Sequence, residues 1–110
     1  MSTVYTITTG PVRASGYAFR FRRAAYAAAR AHPNVSAPAL NAEIARVNKA
    51  IYGALVALGV PKSAALVISA VLSFEGDRPR ISVVRVDVLH RDDVLSEDVT
   101  RVVTTELARA

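Results

Sequence analysis

The chain has 110 residues, enough for one domain with a modest core, and its 52% hydrophobic and 21% charged composition is that of a globular protein rather than a disordered one. With no cysteine, disulfides and thiolate metal sites are excluded and the redox compartment is left open. Residues 1–62 carry eight basic groups against Glu43 alone, a net +7, whereas residues 63–110 carry six basic against eight acidic groups, a net −2. So concentrated a positive charge points to a polyanionic partner. Twelve of the fourteen basic residues are Arg, the type suited to bidentate phosphate contact and to stacking on flat rings. The absence of Cys and Gln and the scarcity of Asn fit a thermophile.

No repeat, low-complexity tract or linker divides the chain, so a single domain over residues 1–110 is expected. Residues 3–9, TVYTITT, alternate and are β-branched, which predicts a strand; Gly10-Pro11 is expected to end it. Ser15 is placed to cap a first helix that stops at His32-Pro33-Asn34. A second helix starts near Ser36, tolerates Pro38 in its first turn and gains a staple from Val35 and Leu40. Its apolar stripe is Leu40, Ile44, Val47, Ile51, Leu55 and Leu58, and Gly59 with Pro61 ends it.

Residues 64–74 and 80–90 read as an antiparallel hairpin turning around Glu75-Gly76-Asp77. In its second strand Val84, Val86 and Val88 point one way, and Arg85 and Asp87 the other. A last helix is expected from a cap at Ser96, with Val99, Val102, Val103 and Leu107 as its apolar face. The order β-α-α-β-β-α predicts an α+β fold, a small antiparallel sheet with helices packed on one face. No signal peptide is recognised at the start, and the longest apolar run, AALVISAVL, is too short for a bilayer. A soluble cytoplasmic protein without a membrane partner is the expectation.

Catalytic signatures are scarce. The chain has no GxGxxG, Walker loop, HExxH or GxSxG, and its serines lack an evident base. His90-Arg91-Asp92-Asp93 has no metal-ligand spacing and reads as a solvated strand end with an acidic turn. The expectation is therefore no enzyme, no catalytic residue, no metal and no cofactor.

The first helix carries the functional signal. At 100° per residue, Tyr17, Phe21, Ala24 and Ala28 share one face, the natural core stripe. Phe19 and Tyr26 fall on the opposite face among Arg22, Arg23 and Arg30, with Arg20 on the flank. Bases stack on aromatic rings while Arg follows the phosphates, so this combination suits a single-stranded nucleic acid. Duplex reading would need polar groups aimed at base edges, which an Ala-rich helix hardly supplies. The alternative is a structural one: an oligomeric interaction module whose Phe19/Tyr26 face is buried in a subunit contact. Recognition of structured RNA by shape is a third reading. Asn48, Lys49 and Tyr52 on the second helix, and Arg13, Arg80 and Arg85 near the strands, are candidate extensions of a binding groove. Helix-to-helix polar packing is the favoured reading of the residues on the second helix, and ordinary solvated strand positions that of Arg80 and Arg85.

The run T-T-G-P-V-R-A-S-G-Y-A-F-R-F-R-R (8–23), followed by V-N-K-A-I-Y (47–52), resembles the archaeal ThermoDBP-related proteins. Thr9-Gly10, Gly16-Tyr17-Ala18, Arg22-Arg23, Asn48-Lys49 and Ile51-Tyr52 carry the likeness, together with the closing hairpin and its Val-Asp-Val-x-x-Arg strand (86–91). The resemblance implies an α+β domain that binds single-stranded DNA, sometimes RNA, in a cleft of hydrophobic and basic groups. It also implies a homodimer or homotetramer, which the founding type builds through a long C-terminal zipper. The last helix here departs from that pattern, having no sustained heptads, so association through residues 96–109 or a sheet edge takes the zipper's place as the expectation.

Overall fold

The structure is a computed structural model that describes residues 3–89 and 93–109. Strand β1 (Val4–Arg13) leads through a 3-10 turn (Ala14–Gly16) into helix α1 (Tyr17–Ala29) and helix α2 (Ala37–Ala57). Strands β2 (Ala65–Glu75) and β3 (Arg78–Leu89) form a hairpin, and helix α3 (Asp93–Ala108) closes the chain. The sheet is antiparallel throughout, in the order β1-β2-β3. This is the expected α+β order, with α1 and α2 covering one face of the sheet. The sequence around His90-Arg91-Asp92, read above as a strand end, lies outside the described residues.

Gly10-Pro11 bends β1 instead of ending it. The β1–β2 register shifts between Thr8 and Pro11, with Gly10 at φ 63°, a backbone that glycine adopts without strain. Thr9 is buried there and its Oγ1 accepts the Ile68 N–H at 3.0 Å, so the bulge does not orphan that donor. Pro11 is tolerated because β1 is an edge strand. Ser15 falls inside the 3-10 turn, and Gly16 stands at the N-cap of α1 without a side-chain cap. Ser36 does cap α2, accepting the Ala39 N–H on its hydroxyl.

The core fills the space between the sheet's inner face and the two helices. Leu66, Ile68, Ala70, Leu72 and Phe74 of β2 meet Phe21 and Ala25 of α1 and Leu40, Ile44, Val47 and Ile51 of α2. Leu58, expected on the α2 stripe, lies past the helix end and is 80% exposed. A tight Gly76-Asp77 turn joins β2 to β3, with Gly76 at φ 64° as a two-residue hairpin requires. Glu43 staples α2 to β3: its carboxylate accepts the Ile81 N–H at 2.7 Å and pairs with Arg46, which also donates to the Ile81 carbonyl. At the hairpin end His32 stacks on Phe74 at 3.8 Å between ring centroids, with Tyr5 edge-on to both.

β3 carries a second irregularity. Its register against β2 shifts between Ser69 and Val71, and Val83 sits at φ 52°, a strained setting for a β-branched residue. Beyond it Val86 and Val88 pair with Ile68 and Leu66, on the inner face as expected. Ser96 does not cap α3, which starts three residues earlier. All described α3 side chains except Ser96 are exposed, including Val99, Val102, Val103 and Leu107. This helix stands off the layer that α1 and α2 build. No described helix is long and apolar enough to cross a membrane.

Candidate nucleic-acid interface

Antiparallel packing of α1 on α2 creates the surface of interest. The Tyr26 hydroxyl donates to Asn41 Oδ1 at one end of the seam, and Asn48 Nδ2 donates to the Ala18 carbonyl at the other. The α1 core stripe is Tyr17, Phe21, Ala25 and Ala29, which turns residues about 180° away toward solvent. Phe19 is 69% exposed, and Arg22, Arg23 and Arg30 are exposed around it. The Arg23 guanidinium carbon lies 6.0 Å from the Phe19 ring centroid, and that of Arg22 lies 5.7 Å from the Tyr26 centroid. Each cation thus sits at an aromatic face. Phe19, Arg22, Arg23, Tyr26, Ala27 and Arg30 line one open hollow of about 510 Å³. Tyr26 is half-buried, held by Asn41.

The seam leads to a second hollow of about 420 Å³ at the start of α1. It is lined by Ala14, Ser15, Tyr17, Ala18, Tyr52, Leu55, Val56, Val60 and Lys62. Tyr52 is 63% exposed. Tyr17 is buried, and its hydroxyl donates to the Asn48 carbonyl at 3.0 Å. Burial, with Tyr52 nearby, raises the Tyr17 phenol above its ordinary pKa, so it stays a neutral donor. Asn48 is half-buried, and its Oδ1 is enclosed with no hydrogen-bond partner among the described residues. Lys49 lies exposed on the adjoining turn of α2.

The helical layer therefore brings together Phe19, Arg22, Arg23, Tyr26, Arg30, Lys49 and Tyr52, with Tyr17 and Asn48 beneath them. Arg20 is exposed on the flank of α1. Arg13, Arg80 and Arg85 go elsewhere. They pair with Ala65, Ser73 and Ser69, which alternate with the buried residues of β2. Arg13 and Arg85 stand on the outer face of the sheet, with the core between them and the helices, whereas Arg80, on the β3 edge, lines a hollow with Ala39, Ala42 and Glu43 of α2, away from the α1 face. Arg85 is also engaged by Asp87 at 2.9 Å. No cluster of three His, Cys, Asp or Glu side chains among the described residues is arranged to hold a metal.

With this geometry in view, two solved structures are informative. The Pfu Thermo-DBP-RP1 crystal structure superposes with a TM-score of 0.71 at 24% sequence identity, over 94% of this chain and 71% of that one. The Ape Thermo-DBP-RP2 structure, determined bound to single-stranded dT10, superposes with a TM-score of 0.74 at 22% identity over 96% of this chain. The chain has the Thermo-DBP-related fold. It spans about half of the Ape protein, 54% of its length. No protein-family model and no curated protein sequence matches the chain.

Within this Thermo-DBP-related fold, Lys62 and Ser15 are the residues that sequence reasoning passed over. Both belong to turns that the fold carries to the mouth of the second hollow: the Ser15 N–H donates to the Lys62 carbonyl at 3.0 Å. A lone lysine in a Pro-Lys-Ser turn carries no periodic signal, and only the closure of β1 against β2 reveals its position.

Proposed function

We propose that the chain binds single-stranded nucleic acid on its helical layer, without catalysis and largely without regard to sequence. The observation that carries this reading is the open α1 face, where Phe19 is exposed and the Arg22 and Arg23 guanidinium groups lie at aromatic faces. The dT10 strand bound by the Ape protein of the same fold supports it. Phe19 and Tyr26, seven residues apart, are about 10 Å apart along the helix axis, room for two bases to stack with the phosphates between them reached by Arg22, Arg23 and Arg30. Lys49 and Lys62 would continue the cationic track along the seam, and Tyr52 offers a further stacking surface at the second hollow. Single-stranded DNA is the primary ligand of this reading and RNA a second one, since a stacking platform does not by itself sense the 2′-hydroxyl. Arg13 and Arg85 on the far side of the sheet, and Arg80 at the α2–β3 edge beside Glu43, have no part in it.

We further propose that the chain works as a homo-oligomer, a dimer or a tetramer, because Val99, Val102, Val103 and Leu107 of α3 are all about half exposed or more among the described residues. The alternative in which Phe19 and Tyr26 form the subunit contact is less favoured than one through α3, which carries more exposed large apolar side chains. Fluorescence anisotropy of a labelled thymidine oligonucleotide tests the binding reading. Saturable binding that weakens with salt is expected; indifference to the oligonucleotide at low salt would refute it.

A further inference from the structure

β3 is an edge strand, and its free edge is closed over one half and bare over the other. The alternation of an antiparallel ladder decides which backbone groups point outward. The Ile68 N–H turns toward β1, where Thr9 Oγ1 accepts it. In β2, residues 66, 68, 70, 72 and 74 therefore turn their backbone groups to β1, and residues 65, 67, 69, 71, 73 and 75 turn theirs to β3. β3 residues opposite the first set point their backbone groups away from the sheet. These are Pro79 and Ile81 before the register shift, and Val86 and Val88 after it.

The first half is closed. Pro79 has no N–H to offer, the Ile81 N–H goes to the Glu43 carboxylate, and the Ile81 carbonyl accepts from Arg46. Two α2 side chains thus stand where a neighbouring strand would. Past the strained Val83 the edge changes character. No group among the described residues outside the β2–β3 ladder hydrogen-bonds to the backbone of Val86 or Val88. Val84 and Val88 are 41% and 44% exposed. Proteins guard a free edge with proline, lysine or a covering element, and residues 84–88 contain neither proline nor lysine.

We infer that the 84–88 edge pairs antiparallel with the same segment of a second copy, about a two-fold axis at Val86. Charge selects the register. With Val86 opposite itself, Arg85 of each copy stands opposite Asp87 of the other, and Val84 stands opposite Val88. Arg85 and Asp87 already pair within one strand at 2.9 Å, and the second copy closes them into a square of alternating sign on the outer face. A slip that sets Val86 opposite Val88 brings Asp87 against Asp87, and like charges directly opposed are destabilising. Exposed ion pairs add little strength. They choose the register, while the new ladder bonds at Val86 and the covered valines hold the contact. The two-fold axis is perpendicular to the sheet, so two three-stranded sheets become one of six strands with both helical layers on the same side.

This contact is separate from the α3 surface proposed above, and its test distinguishes the two. Arg85→Glu and Asp87→Arg each set like charges across the axis when a variant pairs with itself, whereas one chain of each restores both opposite-sign contacts. Light scattering of the full chain should give an associated mass for the parent, a smaller one for each variant alone, and the parent's mass again for an equimolar mixture. As a second measure, Arg85→Cys and Asp87→Cys chains are mixed and oxidised, in a protein with no other cysteine. Facing residues of a non-hydrogen-bonded pair lie about 4.5 Å apart at Cα, within disulfide reach, and the mixed pair keeps one Arg85–Asp87 contact. A disulfide joining position 85 of one chain to position 87 of the other is expected, with little product from either variant alone. Single variants that keep the parent's mass, or a mixture that stays small, overturn the pairing. An associated parent whose mixture gives no 85–87 disulfide overturns the edge contact and leaves association through α3 standing. A monomeric parent overturns both.

Discussion

Replacing Arg22 and Arg23 together by Ala should change how binding responds to salt more than it changes the fold. The helical layer offers five cations to a strand: Arg22, Arg23 and Arg30 around the first hollow, Lys49 on α2 and Lys62 at the second hollow. Each phosphate neutralised on a single strand contributes about 0.7 to the slope of log affinity against log salt, so full engagement gives a slope of about −3.5. Raising salt from about 50 to about 200 mM should then weaken the parent chain roughly 100-fold. The double variant keeps three cations, has a slope of about −2, and should weaken only about 20-fold over the same range. Both arginines are exposed and neither forms an ion pair among the described residues, so the melting temperature should stay nearly fixed. Anisotropy titrations at four or five salt concentrations measure the slope directly. A slope unchanged in a folded double variant would show that the strand does not cross the α1 face.

Three further outcomes follow from the same structure. Phe19→Ala should cost about 1–3 kcal/mol of binding, as loss of a base-stacking ring does, while urea denaturation shows little change because the ring is 69% exposed. Glu43 has its carboxyl held below the usual range, chiefly by the Arg46 hydrogen bond and with help from the Ile81 N–H. A depressed folded-state pKa means stability that is present above the ordinary carboxylate value and is lost as pH falls through the folded one. Glu43→Gln should therefore destabilise the chain by about 1–3 kcal/mol at neutral pH, and the gap between parent and variant should close as pH falls below the ordinary carboxylate range and through the lowered folded-state value; a gap that persists in acid contradicts the staple. Val83→Gly should relieve the φ 52° strain and raise stability by about 1 kcal/mol, measured by chemical denaturation, and a loss of stability would mean that the Val83 side chain itself holds the bulge.

The parts of the fold that the sequence reveals are those governed by local rules. α2 is legible because Leu40, Ile44, Val47 and Ile51 repeat at helical spacing behind a Ser36 cap. The hairpin is legible because Gly76-Asp77 separates two β-branched runs. Gly10-Pro11 misleads, since a proline is compatible with a strand whose N–H side is an edge, and edge position is a property of the sheet. Ser15 misleads because the chain spends a 3-10 turn docking onto the Lys62 and Ala64 carbonyls before α1 begins.

The candidate site divides along the same line. The projection of α1 alone separates Phe21 from Phe19, and the structure keeps them on buried and exposed sides. The positions of Arg80 and Arg85 depend on which face the helices cover and on where the β3 register slips, neither of which local pattern encodes. Likewise the apolar side of α3 reads as core in a single chain, whereas the fold leaves it outside. Tyr17 shows the reverse case, a motif residue whose hydroxyl ties α1 to α2 through the Asn48 carbonyl.

Competition between strand forms tests the central claim most directly. A labelled thymidine oligonucleotide bound to the chain is displaced by unlabelled single-stranded DNA, single-stranded RNA and duplex DNA of equal length, at one fixed salt concentration. A stacking platform on α1 predicts displacement by the single strands at concentrations at least tenfold below those needed of the duplex, whose bases are already stacked on one another. Equal displacement by the duplex would contradict it and reduce the α1 face to a plain patch of positive charge.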